Sequence, residues 1–286
     1  MVGIYPQPEI PMRLVLGSLL LLSSLSAFAH NCANSAERKL DIDAAGLKAL
    51  RFELGSSDIK VQGVAGLTQI EVHGHACASD PAWLAELDMT QSRLGDKVLV
   101  KPLPLQKHSG FLNTYAYIYF EVRMPAALLL EVATGSGDAN ISDIAALDFD
   151  TGSGDLKLTH VAGVVNTHVG SGDIVASDVG SFSLRAGGSG DVTAHAVRGD
   201  VKVGHVGSGD LHFADVKGGV QIDAIGSGDV AIDGVGHDVF VGSIGSGDVV
   251  AKNVTGNFTV KAAGSGEIHH SGIGGKVEVP ARHQND

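Results

Sequence analysis

From residue 135 onward, one pattern of apolar and polar positions returns every 17 to 19 residues. One residue after a recurring acid stand Leu156, Ile174, Val192, Leu211, Val230, Val249 and Ile268. Six after it stand Val161, Val179, Val197, Val216, Val235, Val254 and Ile273. Three more files precede the next block: Val164, Phe182, Val201, Val220, Val239 and Phe258; Asn166, Leu184, Val203, Ile222, Val241 and Val260; Val169, Gly187, Val206, Ile225, Ile244 and Ala263. The residues between are Ser, Thr, Asp, Lys, His, Gly and Ala. A two-residue alternation puts successive side chains on opposite faces of a strand. Each block therefore predicts two short strands, or three, with one set of side chains inside and the other in water.

The marker of the period is Gly-Ser-Gly-Asp, starting at Gly135, Gly152, Gly170, Gly188, Gly207, Gly226 and Gly245, with an eighth copy at Gly264 ending in Glu. So short and regular a period predicts a solenoid with one coil per repeat. The expected fold is all-β: a single-stranded β-helix of about 18–19 residues per coil, over residues 132–279. Stacking at ~4.8 Å per coil would make eight coils a rod about 40 Å long.

Residues 30–131 are less regular and read as an irregular β cap. Strand patterns lie at 39–43, 50–54, 59–61, 69–72, 97–100 and 115–123. The segment from Asp80 to Leu87, with Pro81 near its start, predicts one or two helical turns. Gly55-Ser-Ser-Asp58 is a degenerate form of the tetrapeptide. This section holds the only Trp and every Tyr but Tyr5, bulk suited to covering the end of a stack.

Arg13, an apolar run over residues 14–25 and Ala27-Phe-Ala29 read as an export signal cleaved before His30. Residues 1–11 carry three prolines and Glu9 but no cation, which makes Met12 the expected start. No transmembrane span is expected in the mature form, because the apolar run is short for one. Residues 280–286 are expected to be a disordered tail. The two cysteines, Cys32 and Cys77, lie in the exported part, and an even count there predicts one disulfide. The alternative, lipidation of Cys32, wants small residues where this chain has His30 and Asn31. The net charge of −12 argues against nucleic acid and anionic lipid as partners.

The recurring acids are Asp138, Asp155, Asp173, Asp191, Asp210, Asp229, Asp248 and Glu267. Stacked, they form a turn ladder in which Ser and Asp bond to backbone N–H groups and the glycines supply positive φ at a sharp corner. Weak surface calcium is the chemical alternative. A dedicated calcium β-roll is excluded, because such rolls use Gly-Gly-x-Gly-x-Asp at half this period. The glycines lack the Gly-Lys-Ser/Thr ending of a phosphate loop. Among thirteen histidines, His73 and His75 share a strand face with Glu71, the one trio with metal-ligand character. No Gly-x-Ser-x-Gly elbow or other catalytic set stands out, so no catalytic residue and no cofactor are assigned.

An export segment, a strand ending in Pro at Phe120-Glu-Val-Arg-Met-Pro125, then Leu130-Glu-Val-Ala-Thr-Gly-Ser-Gly-Asp138 and its copies, together resemble a family of bacterial envelope proteins. That family is described as auto-transporter adhesin heads with Gly-Ser-Gly-Asp β-helices and has no characterised function. The resemblance covers residues 38–279 and implies a non-enzymatic binding or scaffolding role in the envelope, with a protein or glycan partner. It implies the periplasm as location, with secretion or outer-surface display as the alternative. The rival class is a polysaccharide-active enzyme built on the same rod.

Overall fold

The computed structural model describes residues 32–105 and 114–281. The expected export signal and the last five residues of the expected tail lie outside the described residues. The strands are β1 (Asn34–Asp43), β2 (Ala49–Gly55), β3 (Ile59–Val64) and β4 (Gln69–Ala78). Then come α1 (Pro81–Glu86), β5 (Met89–Leu94), β6 (Lys97–Pro102), β7 (Ala116–Pro125), β8 (Leu129–Thr134), β9 (Ala139–Ser142) and β10 (Ala146–Thr151). Two long strands follow, β11 (Leu156–Val169) and β12 (Ile174–Gly187). The last coils pair β13 (Val192–Val197) with β14 (Val201–Val206), β15 (Leu211–Val216) with β16 (Val220–Ile225), and β17 (Val230–Val235) with β18 (Val239–Ile244). Two more pair β19 (Val249–Val254) with β20 (Phe258–Ala263) and β21 (Ile268–Ile273) with β22 (Val277–Glu278).

The repeats form an all-β solenoid with two strands per coil. First strands stack on first strands in parallel register, as Val192 on Leu211 and Leu211 on Val230. Second strands do the same, as Val201 on Val220 and Val220 on Val239. The irregular N-terminal strands precede and join both stacks. β3 pairs with β9, β2 pairs with β8, and the hairpin of β5 and β6 extends the second stack through β2. On the other side β7 pairs with β3, and antiparallel β4 and β1 follow. Helix α1 is capped by Asp80, whose carboxylate accepts the Ala82 N–H at 2.7 Å, with Pro81 at its first position.

The Cys32–Cys77 disulfide ties the residues before β1 to the end of β4. It cross-links a 45-residue separation, a constraint of the unfolded chain typically worth about 2–4 kcal/mol.

The interior corrects the expected files in two places. Val164 is 47% exposed, while Val165 is fully buried and stacks on Phe182. Asn166 faces out, and Thr167 takes the inner position opposite Leu184. The Thr167 hydroxyl donates to the Ser183 carbonyl at 3.2 Å, so its burial leaves nothing unpaired. The cause is where the extra residue lies. In β12 and the later coils one residue bulges between the last two inner positions, as between Val203 and Val206; β11 carries its extra residue earlier, between Val161 and Val165, so Val165, Thr167 and Val169 alternate strictly. A further inner file, three residues after the acid, consists of Leu158, Ala176, Ala194, Phe213, Ile232 and Ala251, all buried. Large and small side chains share coils: Phe182 accompanies Ala176, and Phe258 accompanies Ala251. His270 ends that file, its ring 5.9 Å from that of Phe258.

The glycines of the tetrapeptide have a different role from the one expected. None has positive φ. The left-handed position lies five residues after the acid, at Asp143, His160, Asp178, Ala196, Asp215, Gly234, Asn253 and Gly272. Asp, Asn and Gly dominate it, as that backbone region favours. The tetrapeptide glycines serve close stacking instead. A Cβ on Gly209 would lie 1.9 Å from the Gly190 carbonyl oxygen, and one on Gly228 would lie 2.0 Å from that of Gly209.

Candidate functional site

The recurring acids sit at the corner between the two strands, one above another. Each backbone N–H donates to the Oδ1 of the acid one coil before it. Asp210 donates to Asp191 at 2.9 Å, Asp229 to Asp210 at 2.8 Å, and Glu267 to Asp248 at 2.8 Å. Asp155, Asp173, Asp191 and Asp248 make the same bond to their predecessors, and Asp138 makes it to Asp58. The degenerate turn at Asp58 is therefore the first rung. A shorter ladder occupies the opposite corner: Asp200 accepts from Gly219, Asp238 from Asn257, and Asn257 from Lys276. Both ladders spend one oxygen per side chain on backbone donors.

A trough of about 530 Å³ opens on the outer face of the second stack, lined by Arg51, Glu131, Val132, Ala133, Asp148, Asp150, Asn166 and Arg185. The placing of the bulges explains where it lies. β2 has an extra residue near Glu53, and β12 has one near Arg185. Between them β8, β10 and the Val165–Val169 part of β11 alternate without a bulge, and register puts Arg51, Glu131, Asp148 and Asn166 in one outward file. Ala133 stands between Glu53 and Asp150 in the adjacent file, and its short side chain leaves the space open.

The polar groups of the trough are held in place. Glu131, only 12% exposed, accepts from Lys97 Nζ at 2.5 Å and Arg51 Nη1 at 3.3 Å. Arg51 also bonds Glu53 at 3.1 Å. Burial opposes the Arg51 charge, but the bonds to Glu53 and Glu131 outweigh it and raise the guanidinium pKa above its ordinary value. Asn166 Nδ2 donates to Asp148 Oδ1 at 2.8 Å. Asp150 lies 3.5 Å from His168 Nδ1 and 3.7 Å from Arg185 Nη2. The His168 Nδ1 atom is buried and makes no hydrogen bond.

No family model matches the chain, and no curated protein matches it. Solved structures do. A candidate lipid-binding protein from Parabacteroides distasonis ATCC 8503 aligns with a TM-score of 0.54 and 20% identity, over 84% of this chain and 97% of that one. It has the same β-solenoid fold, and the likeness is one of fold alone. A candidate adhesin from Parabacteroides merdae ATCC 43184 aligns at 0.48 with 13% identity, over 84% and 97% of the two chains. Another from Parabacteroides distasonis ATCC 8503 aligns at 0.40 with 12% identity, over 85% and 97%.

The trio Glu71, His73 and His75 lies on β4, between β1 and β7. Glu71 accepts from Arg123 Nη1 at 2.7 Å. His75 sits between Glu37, at 2.6 Å from Nδ1, and Glu121, at 3.7 Å from Nε2. Its ring also stacks on Tyr119 with centroids 6.0 Å apart. Among the described residues no group of three or more His, Cys, Asp or Glu is placed to hold a metal ion. Tyr119 is pushed up to about 12, first by burial and then by the charges of Glu121 and Asp58.

Sequence reasoning did not single out the trough. Its residues are spread over 134 positions, from Arg51 to Arg185; Glu131, Val132 and Ala133 were noticed only as part of the run leading into the first tetrapeptide, and Asn166 only as a break in an inner file. The one signal was the first spacing of the tetrapeptide, 17 residues instead of 18 or 19, which marks the shortest coil.

Proposed function

We propose that this chain is an exported, disulfide-locked rod of the bacterial envelope that works by binding or scaffolding and not by catalysis. The observation that carries this reading is the commitment of the recurring carboxylates: each ladder acid from Asp58 to Asp248 accepts a backbone N–H from the next coil. A carboxylate so used supports stacking and is poorly placed to act as a general acid or base. The disulfide supports an oxidising compartment. The periplasm is the proposed location, with display outside the cell as the alternative, and the partner is an envelope protein or glycan. Among the described residues no helix is long and apolar enough to cross a membrane.

The test is incubation of the mature chain with purified envelope polysaccharides, measuring both co-sedimentation and new reducing ends. Retention without product is the expected result. Release of a discrete oligosaccharide would overturn the reading in favour of an enzyme on the rod.

A further inference from the structure

We propose that the trough between Arg51 and Arg185 binds a linear, uncharged glycan lying along the solenoid axis. This rests on the binding role above and names the ligand and its site. The lining residues belong to five successive strands of the second stack, β2, β8, β10, β11 and β12, so the trough runs about 19 Å across the coils. A ligand that fills it is elongated.

The charges decide its class. Arg51, Arg185 and Lys97 face Glu131, Asp148, Asp150 and Glu53, so charges of both signs alternate along the strip and are largely spent on one another. A polyanion would meet four carboxylates, and a cation would have to displace the Lys97, Arg51 and Asn166 bonds that Glu131, Glu53 and Asp148 accept and the Arg185 that faces Asp150 at 3.7 Å. An extended peptide finds none of its usual footholds. β8, β10 and β11 are paired on both sides and offer no strand edge, and the apolar lining is limited to Val132 and Ala133. A chain of hydroxyl groups, each both donor and acceptor, suits the mixture that remains. Arg51, Arg185 and Asn166 can donate to its oxygens, while the second oxygens of Asp148 and Asp150 accept from its hydroxyls. The bonds among these groups hold the face in shape before the ligand arrives, which lowers the ordering cost of binding.

The test is calorimetric titration with linear hexasaccharides: β-1,4-linked glucose, β-1,4-linked N-acetylglucosamine and α-1,4-linked glucose, beside a polygalacturonate oligomer of the same length. Reducing ends are assayed in the same samples. Ala133→Arg places a long side chain in the trough from an outward position, and Arg185→Ala removes one donor without filling space; circular dichroism checks that both fold. Saturable binding of at least one neutral hexasaccharide is expected, at least tenfold weaker in both variants. Binding unchanged in the variants would overturn the site and leave the binding role standing. Preference for the acidic oligomer, or no binding to any neutral one, would overturn the ligand class. New reducing ends would overturn the non-catalytic reading itself.

Discussion

The acid ladder makes a prediction whose size can be worked out from one rung. Asp210 Oδ1 accepts the Asp229 N–H at 2.8 Å, and the Asp210 N–H donates to Asp191 at 2.9 Å. Asp210→Asn and Asp210→Ala both remove the charge, and both keep the backbone donor. They differ in the acceptor, which Asn retains and Ala loses. A neutral hydrogen bond contributes about 1 kcal/mol net, so Ala should be less stable than Asn by about that amount. The charge works in the other direction. Neighbouring carboxylates one coil apart, at ~4.8 Å, repel by about 0.9 kcal/mol in water before salt, and physiological salt cuts this to about half. Asp210 has two such neighbours, Asp191 and Asp229, so Asn relieves about 1 kcal/mol at physiological salt while losing the charge-assisted part of the bond to the Asp229 N–H. It should therefore lie within ~1 kcal/mol of the wild type and gain on it as salt is lowered. Urea unfolding measures the totals. Hydrogen exchange at the Asp229 amide measures the rung itself, where the loss of ~1 kcal/mol is about a fivefold fall in protection. If Asn and Ala are equally harmless, the ladder bonds contribute nothing. If Asn is as damaging as Ala, the charge matters and the turn-device account is wrong.

Three further outcomes follow from the same geometry. Gly209→Ala should destabilise by at least about 1–3 kcal/mol, because its Cβ would meet the Gly190 carbonyl at 1.9 Å; a gain of the ~0.4–1 kcal/mol expected from reduced chain entropy alone would refute the close-stacking role. Val203→Asp, at a 2% exposed inner position, should cost several kcal/mol in urea unfolding, while outward Lys202→Asp stays within ~0.5 kcal/mol; equal losses would mean the faces are misassigned. Tyr119 is raised from 10.0 to about 12, so folding favours its neutral form. That contribution is complete below pH 10 and is lost as pH rises through about 12. Spectrophotometric titration against Tyr119→Phe should show the missing late-ionising phenol and a flatter loss of stability over that window; an unchanged titration curve would refute it.

The period carried most of the fold in plain sight, because a coil that stacks on copies of itself must repeat its inner residues in register. Val192, Val197, Val201, Val203 and Val206 could be placed inward from the alternation alone. The file through Ala194 and Phe213 was harder, since Ala reads equally well as an exposed residue. The errors at Val164 and Asn166 have one cause: counting back from the next tetrapeptide assumes a bulge that β11 carries earlier. Glycine composition spoke for special backbone but not for which kind. The positive φ fell to Asp143, Asp178, Asp215 and Asn253, while the glycines themselves serve contact between coils. The second ladder, through Asp200, Asp238 and Asn257, was masked by Gly219 and Lys276 in the same file. The trough was the least legible feature, because it depends on register among strands far apart in the chain and on one small residue, Ala133.

The claim on which the rest depends is that the Gly-Ser-Gly-Asp ridge is architecture and not a cation site. Calorimetric titration of the wild type and Asp210→Asn with calcium, beside thermal melts with and without chelator, tests it directly. The account predicts no saturable heat in either protein and melts that do not respond to the chelator. A saturable micromolar site that Asp210→Asn abolishes, with calcium raising the wild-type melting temperature through linkage, would contradict it.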